Sequence, residues 1–355
     1  MHRPILIPLL VLFLCACTEL VIVYPDNGNE HAHVEAPPIV LSGFWGATQP
    51  GTMQEPPDLS QIPESYNVLT VAFCNVDSYG NLDWIQLGQP QVAYPAQIQN
   101  GQIRSLKERT GCRVLLSMGG ERGFFPFLNV SRDFWIQKAG SQLLDVFEQY
   151  GFDGLDIDIE TVESLHDFLY CMRGLIKKIK GYGYLVTLSP PQAFLYDYDP
   201  PVNRPTRSWN NYAPLLSSDM MPYVDWIQPQ FYNHSHGAHS ISEYVTLLAS
   251  GTFEFEAPEH HPWESFFDPN DKCSYQIEIP SDKIASGHPA TPTGSAPGGG
   301  WLSPLEIATE YEILQSQGAE MKGFMVWSIG WDKTNTPAYS FGDSLSSVLG
   351  LPILP

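Results

Sequence analysis

From Ile39 onward, short apolar runs alternate with longer amphipathic stretches. Eight runs have the length and composition of buried strands: Ile39–Gly46, Asn67–Cys74, Arg113–Ser117, Phe152–Glu160, Tyr184–Ser189, Asp225–Gln230, Lys283–Gly287 and Gly323–Ser328. The intervening segments repeat at helical spacing. One helix is predicted over Ile98–Arg109, stopped by Gly111. Another starts after Ser131 and runs to Tyr150, with Trp135, Ala139, Leu143 and Phe147 on one side. A third covers Leu165–Lys180, and others are predicted over Trp209–Ser217, Ile241–Ala249 and, after Pro304, Leu305–Gln317. Residues 251–281, rich in Pro, Phe and acids, read as an excursion. Strand then helix, eight times, predicts one α/β domain over residues 39–355, a (β/α)8 TIM barrel. A doubly wound sheet needs fewer strands and a Gly-rich phosphate turn after its first. Gly298-Gly299-Gly300 lies instead in a Ser/Pro/Gly loop.

The fourth run carries the chemistry. Successive side chains of a strand point to opposite faces. Leu155, Ile157 and Ile159 therefore share one face, and Asp156, Asp158 and Glu160 share the other. Crowded carboxylates cannot all ionise freely, so at least one pKa should rise. A carboxyl group that keeps its proton is what general acid catalysis requires. A calcium loop also alternates Asp, but it has a mid-loop Gly and no aliphatic residue at every second place. A solvated edge strand does not suit a run placed mid-chain and followed at once by a helix. In a barrel, Glu160, the Gln230-Phe231-Tyr232-Asn233 run and Trp327 all fall at the C-terminal ends of strands, where active sites form.

Composition narrows the partner. The formal net charge of −21 argues against nucleic acid and leaves a neutral or cationic polymer open. Residues 1–17 have the form of an export signal, with His2 and Arg3 ahead of an apolar run too short to span a membrane. Leu14-Cys15-Ala16-Cys17 resembles a bacterial lipobox, which implies lipid on Cys17 and anchoring at the envelope or cell surface; an ordinary signal peptide with secretion is the alternative. Residues 18–38 read as a flexible tether. Cys74, Cys112, Cys171 and Cys273 have no metal-ligand spacing and could be thiols or disulfides.

Asp153-x-x-Asp156-x-Asp158-x-Glu160 resembles the signature of glycoside hydrolase family 18, the chitinases and their relatives. Ser117-x-Gly119-Gly120 and Gln230-x-Tyr232-Asn233 resemble its strand-three and strand-six signatures, the latter that of compact single-domain members, and Trp327 stands where the family places a subsite-floor tryptophan. The likeness implies retaining hydrolysis of β-1,4-linked N-acetylglucosamine polymers, with the substrate's acetamido group as nucleophile. It implies Glu160 as acid, Asp158 as the group orienting the acetamido N–H, Asp156 as its tuner and Tyr232 as donor to the acetamido carbonyl. Gln230, Asn233 and Trp327 would bind substrate, while Asp153, Ser117, Gly119 and Gly120 would be structural. Trp45 is expected to extend the groove, and Trp84, Trp209, Trp301 and Trp331 are further candidates. No metal or cofactor is implied, and a monomer is expected. The chain departs from larger members in having only a Pro/Gly loop and one helix over residues 288–321, and in carrying Asn233 where many have Asp. An open groove favours internal cleavage. Two other readings keep the fold: an endo-β-N-acetylglucosaminidase acting on N-glycans or cell-wall glycan, and an inactive chitin-binding lectin.

Overall fold

The computed structural model describes residues 33–46, 56–83, 98, 101–162, 165–191, 212, 215–233, 240–249, 253–255, 275–277, 279–293, 295–296 and 299–351. Its frame is a (β/α)8 barrel. The strands are β1 Val40–Trp45, β2 Val68–Val76, β3 Arg113–Phe125, β4 Gly154–Val162, β5 Leu185–Leu188, β6 Trp226–Ile227, β7 Ala285–Pro289 and β8 Gly323–Trp327. They pair in parallel in the order β7-β8-β1-β2-β3-β4-β5-β6. Single parallel bridges, Ile227 to Ile284 and Gln230 to Gly287, link β6 back toward β7. The expected sixth strand, Asp225–Gln230, is thus a ladder for only two residues. Pro190, Pro191 and Pro229 lie at this seam, and proline has no N–H to donate to a ladder.

The outer helices are α1 Gln102–Thr110, α2 Arg132–Tyr150, α3 Leu165–Gly181, α4 Ile241–Ala249, α5 Pro304–Ser316, the single turn α6 Ile329–Asp332, and α7 Ser340–Val348. Ser131 caps α2 by accepting from the Phe134 N–H, and Ser303 with Glu306 forms a full capping box at α5 with Pro304 in the first turn. Of the helix expected over Trp209–Ser217, only 212 and 215–217 are described, and none of these is α-helical. Within 251–281, Phe253–Phe255 and Tyr275–Ile277 form a two-stranded antiparallel ribbon.

Two cores position the site. The larger lies between barrel and helices and takes the outward faces of the strands, including Leu155, Ile157 and Ile159 with Trp135, Phe147, Phe168 and Leu175. The barrel floor is a separate apolar layer of Val40, Val68, Leu115, Leu185, Trp226 and Ala285. At the base of β4, Asp153 accepts from Lys107 Nζ and from the Val114 N–H, both at 2.8 Å, and so ties β4 to β3 and α1. Cys74, Cys112 and Cys171 are buried free thiols; Cys273 lies outside the described residues, as do Cys17, residues 1–32, Trp84 and Trp209.

Candidate active site

Above the apolar floor the barrel interior turns polar. Ser42 and Thr70 hydrogen-bond to each other at 3.0 Å, and Asp156 is wholly buried. Asp156 accepts from Ser117 Oγ at 2.7 Å, Thr187 Oγ1 at 2.6 Å, Ser189 Oγ at 2.7 Å and Gln228 Nε2 at 3.2 Å. Burial raises its pKa, and these four donors pull the other way. The next inward carboxylate, Asp158, is also buried and is pushed well above the usual carboxylate range, first by burial, then by Glu160 and Asp156. A donor to Asp158 is Gln230 Nε2 at 2.8 Å, which also reaches the Ser189 carbonyl at 3.1 Å and Glu160 Oε1 at 3.4 Å. Glu160, at the top of the row, is partly open. One amide thus spans two carboxylates, and depth in the barrel sorts three chemically similar acids.

The upper layer is aromatic. Phe44, Ala72, Phe73, Tyr232, Ala296 and Met325 form a small cluster, with half-buried Trp327 packed against it. Trp327 meets Phe44 edge-on at 5.3 Å and Phe73 at 6.2 Å with a 26° interplanar angle. Tyr232 is buried, and burial with the charges of Asp158 and Glu160 raises its pKa well above a normal phenol, so its hydroxyl keeps its proton. Close approach at this level depends on glycine. A Cβ on Gly119 (φ 120°) would fall 2.4 Å from the Asp158 carbonyl oxygen, and one on Gly120 (φ 79°) would fall 2.5 Å from the Phe73 ring. Asn233 adopts φ 62°, a region asparagine tolerates, and its N–H donates to the Gly299 carbonyl at 2.9 Å. Gly299 and Gly300 therefore back the end of the Tyr232 segment.

Asp156, Asp158, Glu160, Ser117, Gly119, Gly120, Gln230 and Tyr232 come together at the C-terminal end of the barrel, with Trp327 beside them. Ser117 reaches only Asp156 among its described side-chain partners, and Asp153 lies at the opposite end, on the salt bridge to Lys107. Trp45 requires a correction. It is 1% exposed, belongs to the outer core, and its indole N–H donates to the Pro57 carbonyl at 2.8 Å, so it offers no face to a groove. The ring alternates outward from β1, where Phe44 points inward. Three donors to Asp156 were missed in the sequence: Thr187, Ser189 and Gln228. Their signal was available, since all three are polar residues on the inward parity of otherwise apolar runs.

A row of three carboxylates, two of them buried with raised proton affinity, beside an aromatic cluster at the mouth of a (β/α)8 barrel points to a glycoside hydrolase. The family model for glycosyl hydrolases family 18 matches residues 41–291, and the chain belongs to that family. It is 27% identical over 333 residues to "Endochitinase 37" of Trichoderma harzianum, covering 86% of this chain and 89% of that protein. It is 25% identical over 288 residues to a protein described as "Chitinase" from Enterococcus faecalis, covering 78% and 74%. Among solved structures, a family GH18 chitinase from Chromobacterium violaceum superimposes with a TM-score of 0.64 at 21% identity, covering 90% of this chain and 85% of that one. The Legionella pneumophila ChiA C-terminal domain gives 0.61 at 18%, covering 87% and 97%. At such identities the superpositions speak for the fold.

Proposed function

We propose that the chain hydrolyses β-1,4-linked N-acetylglucosamine chains within their length, with retention of anomeric configuration, the substrate's own acetamido group acting as nucleophile. The observation that carries this reading is that, among the described residues, the carboxylates lining the site stand on one strand. Asp158 is two residues from Glu160 on the same face, beside the acid and not across from it. Two other carboxylates are buried among the described residues: Asp153 is tied to Lys107 at the far end of the barrel, and Asp332 accepts from Tyr66, Asn335 and the N–H groups of Phe341 and Gly342 and serves the packing of α7. A two-carboxylate retaining scheme needs its nucleophile opposite the acid.

Glu160 gives its proton to the glycosidic oxygen as the C1–O bond breaks. The acetamido carbonyl oxygen closes on C1 from the other face, forming an oxazolinium ion. Asp158 accepts from the acetamido N–H and offsets the developing positive charge, and the Tyr232 hydroxyl donates to the carbonyl oxygen. Gln230 holds Asp158 and Glu160 together, and Asp156 sets the proton affinity of Asp158 through its charge. Water then adds to C1, giving its proton to Glu160 and opening the ring. Only a loop and α5 separate β7 from β8, which favours an open groove and internal cleavage. The test is hydrolysis of soluble chitooligosaccharides by the wild type and by Glu160→Gln, with N-glycans and cell-wall glycan as rival substrates. The variant should fold and bind but turn over about 10²–10⁴-fold more slowly. Near-normal turnover would remove Glu160 from its role, and preference for N-glycans would change the substrate.

A further inference from the structure

Six large apolar side chains are strongly exposed among the described residues, and they segregate by type. Leu305 and Ile313 are aliphatic and lie on α5. The four aromatics, Tyr79 (52%), Phe124 (51%), Phe127 (47%) and Phe134 (51%), come from the C-terminal end of β3, the segments that follow β2 and β3, and the first turn of α2, on the face where substrate enters. Phe124 pairs in register with Thr161, the residue after Glu160. From there the chain runs past Phe127 to Asn129, whose N–H and side-chain amide donate to the Ser78 carbonyl and hydroxyl at 3.0 and 2.8 Å. That brings it beside Tyr79. Lys138 then joins Tyr79 to Phe134, donating to the Tyr79 carbonyl at 3.2 Å with its ammonium 5.8 Å from the Phe134 ring.

The backbone under three of these rings is fixed. Asp77 accepts from the N–H groups of Tyr79 and Asn81 and from the Asn81 side chain, setting the tip that carries Tyr79. Phe125, next to Phe124, is buried against Trp135 and Phe168, and the Phe134 N–H is held by Ser131. Half-open rings on rigid backbone cost solvation free energy and lose little entropy on docking, which marks an interaction surface. Phenyl faces suit the C–H face of a pyranose, and the net charge of −21 argues against polyanions.

We propose that Tyr79, Phe124, Phe127 and Phe134 form a docking stripe for the extended polymer, leading away from Glu160 across the β2–β3 side and holding insoluble chitin on the enzyme. This rests on the substrate reading above. The experiment compares wild type with Phe134→Ala and Tyr79→Ala/Phe134→Ala in two assays: depletion from solution by insoluble chitin, and hydrolysis of a short soluble chitooligosaccharide. Each lost ring should lower affinity for the insoluble polymer about 2- to 10-fold, while the rate on the short substrate stays within about 2-fold. Phe134→Trp should restore binding, which a merely misfolded surface would not allow. Unchanged depletion in the double variant, or no depletion by a wild type that cleaves the short substrate, overturns the stripe. So does a dimer in solution that the double variant dissociates, because the rings would then be covered by a second copy. A wild type inactive on every chitooligosaccharide refutes the substrate reading instead.

Discussion

Asp158 is where the electrostatics of the site concentrate. Its raised proton affinity penalises folding at any pH where the unfolded chain would ionise it. For a carboxyl raised in the folded state, the penalty is absent at acid pH and grows as pH climbs above the unfolded value. Asp158→Asn, isosteric and neutral in both states, should therefore melt a few degrees above wild type at pH 7. The gain should shrink toward pH 4, and activity should fall at every pH. Equal melting curves at pH 7 would mean that Asp158 carries no such repulsion. The three acids were legible in the sequence because a strict alternation of apolar and acidic residues allows few folds. Trp45 was not, since an indole at a strand end looks the same whether it faces a groove or the helices, and one residue of parity decides.

At the scale of elements, β7 carries a titratable group outside the carboxylate row. His288 is wholly buried between Phe231 and Phe324, with Nε2 2.8 Å from Ser286 Oγ and Nδ1 without a hydrogen-bond partner among the described residues. Burial pushes its pKa down to about 3 from an ordinary 6.5. The imidazole folds neutral, so stability is intact above pH 6.5 and declines as pH falls and the unfolded chain takes up a proton. Over the window from 6.5 to 3 the loss is on the order of 5 kcal/mol. Urea denaturation at pH 7 and pH 4.5 should show His288→Gln losing less stability on acidification than wild type; parallel losses would contradict it. The eight strands and most helices were readable from period and caps. The two-residue β6 was not, because its apolar run matches a full strand while Pro229 and the facing Pro190-Pro191 remove the ladder donors.

For the whole molecule, the barrel requires only that its mouth stay open to a polymer. We propose that Cys17 carries a lipid which holds the enzyme at the envelope. Cys17→Ser should then shift the full-length protein from the detergent phase to the aqueous phase while activity on soluble substrate persists. Aqueous partitioning of both forms would favour an ordinary signal peptide. No helix among the described residues is long and apolar enough to cross a membrane.

The central claim is that the nucleophile comes from the substrate, because Asp158 stands beside Glu160 and not across from it. The most direct measurement is proton NMR of the first product released from a chitooligosaccharide, read before mutarotation, with cellooligosaccharides of equal length in parallel. The β-anomer is expected from the acetylated chain, with no cleavage of the chain that lacks acetamido groups. An initial α-anomer, or efficient cleavage of cellooligosaccharides, would contradict it.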